Sequence, residues 1–399
     1  MLVGIPSFRS AKTIAHVVKV ASEGMARYFP GLRHVLVNAD GGSTDDTRQV
    51  VLDTPVPPGV EKIVTPYLGL PGKGSAFKTI FEIADRLESK VCIVVDSDLR
   101  SITPEWIQLL GEPIWKHNFG FVSPHYLRYK YDGTITNGLA YPLTRALYGH
   151  ITRQPIGGDF GITWALAKIF SHQEIWDSED IARFGIDIWI TTTAINEGFR
   201  ICQAEMGVKL HDPKDPAADL GPMFRQVVGT MFRLMRKYEG RWKAARGSQP
   251  TDLFGEPANG NTEVEAVPVN LDALITSFQR ICLSDDSLEL MLSPDNYAQV
   301  KELCHLPLEL FSFPYDLWIK VVYDFAVAYH FSGLDPAHVV ESLLPIHLGR
   351  TASFILETVD VPDVRAEVMV EKLAVRFEQL KPYLIQRWNE AMRLERGWG

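Results

Sequence analysis

Four short β-rich apolar runs, separated by stretches patterned as helices, fill the first hundred residues. "LVGIP" leads into "AKTIAHVVKVASEGMARYF", "HVLVN" into "TRQVVLD", and "KIVTPYL" into "SAFKTIFEIADRLES", before "VCIVVD". Strands apolar on both faces must be covered on both faces, and the intervening helices supply that cover. The alternation predicts an α/β fold with a mostly parallel, doubly wound sheet. Ligands of such sheets sit beyond the carboxyl ends of the strands. The residues just after each apolar run are therefore the ones to read for chemistry.

At 399 residues the chain is longer than one domain usually is. Residues 244–268 are rich in Gly, Pro, Asn and charge, which reads as a loop or linker. Beyond them the pattern is helical throughout. "PYDLWIKVVYDFAVAYHF" is apolar nearly all round and predicts a buried helix. Met369, Leu373, Phe377 and Leu380 share a face of another helix, with Asp363 as its expected N-cap. The expected division is a catalytic domain over 1–235, a connection over 236–268 and a helical domain over 269–399.

Composition removes several classes. A net charge of −9 and a pI near 5.7 argue against a nucleic-acid partner, which needs concentrated Lys and Arg. No apolar stretch approaches the roughly 20 residues that span a bilayer. The chain opens on a strand-like run without a basic leader, so a cytoplasmic protein is expected. Cys92, Cys202, Cys282 and Cys304 show no metal-type spacing and read as reduced, buried thiols. No redox cofactor is expected.

The strongest chemical signal is "VVDSDL", where an apolar strand stops at Asp96 and Asp98. If the backbone stays extended, both carboxylates face one side and Ser97 the other. Their mutual repulsion would be relieved by Mg²⁺ or Mn²⁺ bridging a diphosphate. The following helix does not need them, because Thr103, Pro104 and Glu105 already form its start. In "HVLVNADGGSTDDT", Ser43 or Thr44 can cap the next helix with Asp45 and Asp46 in its first turn, and Asp40 is left at the strand's edge. There it could meet a base or ribose. "YLGLPGKGSAFK" lacks the spacing of a Walker A loop, yet Lys73 stands at a helix N-terminus suited to phosphate. Asp159 in "GGDFGI" and Asp187 in "FGIDIWI" are carboxylates in apolar company, which is costly unless they are used. His211 in "GVKLHDP" is, on its own, an ordinary surface histidine.

In order, "IPSF", "NADGGSTDDT", "LPGKG" and "VVDSDL" resemble the nucleotide-sugar glycosyltransferases of the GT-A fold, family-2-like. "QPIGGDF", "FGIDIWITTT" and "GVKLHDP" are similar to the mannosylglycerate synthase and glucosyl-3-phosphoglycerate synthase subgroup. The resemblance covers residues 1 to about 235 by motif. It implies a Rossmann-like GT-A domain followed by an all-helical C-terminal region. Pro6, Arg9, Asp40, Gly72, Lys73, Asp96, Asp98 and Gly158 would line the nucleoside-diphosphate-sugar donor. Asp98, His211 and Asp96 would hold the divalent cation, and Asp187 and Lys73 would stand at the reaction centre. Arg128, Asp132 and Thr136 would hold a small hydroxy acid.

The chain also departs from that pattern. Many relatives carry Asn-Glu where this chain has Arg9-Ser10. The phosphoglycerate-using relatives carry an arginine where it has Thr134. "EGRW" mimics a processive-synthase signature, but Tyr238 replaces its glutamine. The expected activity is transfer of a hexose from GDP-mannose, GDP-glucose or UDP-glucose to D-glycerate, with retention. A phosphorylated acceptor is the alternative. A nucleotidyltransferase is disfavoured because "GIPSFRSAKT" lacks the Gly-rich, Arg-containing loop; a non-catalytic nucleotide-sugar binder is the other rival. The C-terminal helices are expected either to cover the acceptor side or to form a homodimer interface.

Overall fold

The computed structural model describes residues 1–210, 216–256 and 264–397. The strands of the main sheet are β1 (Leu2–Ser7), β2 (His34–Asp40), β3 (Val60–Pro66), β4 (Val91–Val94), β5 (Phe121–Leu127), β6 (Phe160–Thr163), β7 (Ile201–Val208) and β8 (Asp252–Phe254). The helices that position the site and the two cores are α1 (Ile14–Tyr28), α2 (Thr47–Asp53), α3 (Lys73–Arg86), α4 (Pro104–His117), α5 (Ile186–Asn196), α6 (Tyr315–Phe331), α7 (Pro336–Thr358) and α8 (Asp363–Glu395).

The eight strands form one sheet in the order β8-β7-β5-β6-β4-β1-β2-β3. All neighbours are parallel except β6, which runs antiparallel to both β4 and β5. The mostly parallel α/β expectation holds. From β1 the chain steps outward to β2 and β3, then returns to the other side of β1 as β4. The topological switch therefore lies between β1 and β4. The antiparallel β6 has a specific consequence. Phe160, its first residue, pairs with Val94, the last of β4, so Gly158 and Asp159 are delivered to the carboxyl end of β4.

The chain divides into two compact units, each made of three separate stretches. One unit comprises 1–128, 151–219 and 250–264; the other comprises 129–150, 220–249 and 265–399. Two departures from the sequence expectation explain much of this. Residues 129–150 group with the helical unit, and Asp252–Phe254, inside the linker-like stretch, pairs with β7 as the sheet's edge strand. Backbone pairing there needs no apolar pattern, so composition conceals it.

In the helical unit α6 is buried almost all round, as its sequence requires. On α8 Leu373 and Phe377 are buried, whereas Met369 and Leu380 are only partly so; Pro362, not Asp363, occupies the N-cap. One helix, α7, is long and apolar enough to cross a membrane by length and composition. This corrects the expectation that no such stretch exists. About 67% of that window is buried within the protein, which accounts for its hydropathy. All four cysteines are free and buried.

His347 of α7 is 1% exposed, between the rings of Phe224 and Trp318. Burial, with Arg350 nearby, depresses its pKa to about 3. The unfolded chain therefore takes up this proton first as pH falls below about 6.5, and stability drops toward pH 3. His347→Phe should flatten that part of the acid limb in urea melts taken from pH 7 to 4. An unchanged acid limb would contradict the assignment.

Candidate functional site

Every strand that runs toward the switch contributes at its carboxyl end. The strand β4 ends at Val94, and the chain turns at Ser97–Asp98. The extended geometry expected for Asp96-Ser97-Asp98 is thus replaced by a turn. That turn is tied down on two sides. Thr13 Oγ1 donates to the Ser97 carbonyl at 2.9 Å, and the hydroxyls of Ser10 and Ser97 lie 2.9 Å apart. On the far side Arg100 N donates to Leu210 O, and Leu210 N to Ser101 Oγ, both at 2.9 Å. The residue before His211 is thereby held beside the Asp98 turn. His211 itself lies outside the described residues.

At the centre of the lip three carboxylates and two ammonium groups interlock. Lys73 Nζ, at the first residue of α3, lies 2.8 Å from Asp96 Oδ1 and 3.4 Å from Asp187. Lys209 Nζ donates to Asp96 at 3.0 Å, to Asp159 at 2.7 Å and to the Gly157 carbonyl at 3.0 Å. Asp159, fully buried, also accepts from the Asp96 amide at 2.8 Å and from the Tyr126 hydroxyl. Gly158 makes this approach possible. Its φ is +90°, and a Cβ there would sit 2.6 Å from an Asp96 oxygen and 3.1 Å from Lys209 Nζ. At Gly72 a Cβ would collide with the Ala182 carbonyl at 2.3 Å, so glycine there lets α3 deliver Lys73.

Burial lowers the pKa of either lysine, but the carboxylates more than offset it. The pKa of Lys73 is raised by Asp187 and Asp96, and that of Lys209 by Asp159 and Asp96. Both are ammonium ions at neutral pH. Asp187, in the first turn of α5, moves the other way from a usual paired carboxylate. Burial raises its pKa, Lys73 offsetting only part because that cation is shared with Asp96. A carboxyl group with a raised folded pKa stabilises the fold most below its unfolded pKa. That contribution is lost as pH rises through the folded value. Asp187→Asn should therefore gain roughly 0.5–2 kcal/mol at pH 7.5, a gain that shrinks as pH falls toward 4. Urea unfolding at both pH values checks this; a loss of stability at pH 7.5 would oppose it.

Asp40 has a different task from the one expected. It is fully buried, and its oxygens accept from Gly42 N (3.0 Å), Ser43 N (2.8 Å), Ser43 Oγ (2.6 Å) and Ser7 Oγ (2.9 Å). It braces the turn after β2. Ser43 consequently does not cap α2, which begins at Thr47; Asp45 accepts from Thr47 N instead. Arg128, just past β5, has its guanidinium over the Tyr126 ring at 5.6 Å. Asp132 and Thr136 belong to the helical unit, where Thr136 opens a short π-helical turn, Thr136–Ala140. Pro6 lies within β1.

Among the described residues no three His, Cys, Asp or Glu side chains gather as a metal site. The oxygen-only pair Asp96 and Asp98 still fits Mg²⁺ or Mn²⁺, which use one or two carboxylates and take the rest from phosphate and water. Asp96 is the weaker candidate, since both its oxygens already accept from lysines. Lys209 is a site residue that the sequence does not announce. Its only local signal is its place just after the strand-like "AEMGV", because its partners lie 50 and 113 residues away.

No protein-family model matches the chain, and no curated protein does. Solved structures do match. Glucosyl-3-phosphoglycerate synthase from Mycobacterium tuberculosis with Mn²⁺, UDP and phosphoglyceric acid is 22% identical over 58% of this chain and 77% of that one, with a TM-score of 0.45. The same enzyme with Mn²⁺, UDP-glucose and phosphoglyceric acid is 22% identical over 64% and 88%, at 0.46. The chain is similar to that glycosyltransferase.

Proposed function

We propose that this protein transfers a hexose from a nucleoside-diphosphate sugar to a small hydroxy acid, D-glycerate being the acceptor that fits best. The observation that carries this reading is the charged cluster at the switch point, with two lysines held as ammonium ions beside the Asp98 turn. Such fixed cations meet negative charge as it grows on a departing diphosphate, without reorganising. A bound Mg²⁺ or Mn²⁺, held by Asp98 with Asp96 and His211 as further candidate ligands, would add Lewis-acid stabilisation of the same charge. In the transfer, the bond between the anomeric carbon and the diphosphate oxygen breaks. A bond to the acceptor hydroxyl oxygen forms, and the hydroxyl proton goes to the departing phosphate.

Asp187 is buried beside Lys73 and would accept hydrogen bonds from the hexose hydroxyls. Retention is what the resemblance implies, and with no evident covalent nucleophile among the described residues of the lip, a retaining transfer would take a front-side course. Arg128 would pair its planar fork with the acceptor carboxylate. The unphosphorylated acid is preferred because Thr134 stands where the phosphoglycerate-using relatives carry an arginine. The test is incubation with Mg²⁺ or Mn²⁺, a panel of GDP- and UDP-hexoses, and glycerate or 3-phosphoglycerate, with products identified by mass and NMR. Hexosylglycerate is the expected product. Pyrophosphate release from sugar phosphate and NTP, or no glycoside with any pair, would overturn the reading.

A further inference from the structure

The loop after β1 carries a strained and braced arginine that the lysine–aspartate cluster does not use. Arg9 has φ +53°, one of three non-glycine residues with positive φ among the described residues. Such conformations are unfavourable for a non-glycine residue and persist where surrounding structure imposes them. Here it does. The Arg9 amide donates to Ser43 Oγ at 2.8 Å, and Ser43 Oγ donates to Asp40 at 2.6 Å. Ser10 N donates to Thr47 Oγ1 at 2.8 Å. The bracing by Asp40 thus ends at Arg9, whose exposed guanidinium lies over the Phe8 ring at 5.1 Å.

Phe8 is 57% exposed, an unusual state for phenylalanine at a sheet edge. Between Phe8 and Tyr67 lies Gly41. A Cβ on Gly41 would sit 3.0 Å from the Tyr67 hydroxyl and 3.2 Å from the Phe8 ring. The three form an aromatic-walled patch over bare backbone at the carboxyl ends of β1 to β3. Flat π-faced ligands suit such a surface. Strands are about 4.8 Å apart, so β2 lies about 10 Å from β4, on the side away from Lys209. A donor with its diphosphate at the switch would lay its base here.

What reads the base can be argued from hydrogen-bonding capacity. Asp40 is already saturated from within and is not available to a base. Arg9 offers only donors. A donor-only fork matches a base edge with two adjacent acceptors, and guanine has one in O6 and N7. Adenine pairs N7 with an amino group, and uracil offers a single exocyclic O4 on the corresponding edge. We propose that Arg9 selects guanine, making the sugar donor a GDP-hexose. This rests on the nucleotide-sugar reading of the site and deepens it.

The test is calorimetric titration of the full chain with GDP, UDP and ADP in excess Mg²⁺, for the wild type, Arg9→Ala and Arg9→Lys. GDP should bind wild type about 5- to 150-fold more tightly than UDP. Arg9→Ala should cost GDP more affinity than UDP and bring the two to the same level; Arg9→Lys should recover only part of the preference. Equal or tighter UDP binding, or a GDP preference that survives Arg9→Ala, would overturn the guanine assignment while the transferase reading stands. Failure of all three nucleotides to bind would overturn the donor reading and this inference with it.

Discussion

Lys209→Met should cost about 3–5 kcal/mol of stability at pH 7.5, the largest single-residue penalty expected in the sheet unit. The reason lies in what would be left behind. Lys209 is 8% exposed and places one proton on each of Asp96, Asp159 and the Gly157 carbonyl. Methionine conserves much of the stem's volume but removes all three. Asp96 would keep Lys73, and Asp159 would keep the Tyr126 hydroxyl and a backbone amide, neither of which carries charge. A fully buried carboxylate that loses its directly bonded cation is left poorly compensated. Urea unfolding of the variant and wild type at pH 7.5 reads the loss. A variant within about 1 kcal/mol of wild type at pH 7.5 would show that Lys209 is dispensable to the cluster.

Lys209 also marks the boundary of what is legible in the amino-acid sequence. The parallel strands are legible because short continuous apolar runs between helical patterns are a local signal, and all four such runs form neighbouring strands. Asp96, Asp98 and Lys73 are legible for the related reason that chemistry in doubly wound sheets gathers just past strand ends. The task of Asp40 is not, since a carboxylate at a strand edge reads the same whether it faces a ligand or braces its own turn. Only the three-dimensional fold places Ser7 and Ser43 on it. The short strands β6 and β8 escape notice because four or three residues carry too little periodicity. That omission matters more than its size suggests. The antiparallel β6 brings Asp159 to the end of β4, and without it the second lysine has no visible purpose.

Asp98→Ala should abolish transfer, with a loss of at least about 10³-fold in kcat/KM, while leaving stability close to wild type. Losing a cation that stabilises the leaving diphosphate removes several kcal/mol from the transition state, and each 1.4 kcal/mol is a factor of ten. Asp98 and Asp96 are expected to separate under mutation even though one residue divides them. Asp96 is anchored by two lysines, so its removal disturbs the cluster and the fold together. Asp98 sits in a turn that Ser10, Thr13 and Ser101 already hold through other atoms, so the backbone should stay in place. Activity with saturating Mn²⁺, beside urea unfolding of the same preparation, tells the two cases apart. An Asp98→Ala protein that is stable and retains more than a tenth of wild-type activity would remove this carboxylate from the metal site. The cation would then have to be sought elsewhere along the lip, or the reaction explained by Lys73 and Lys209 alone.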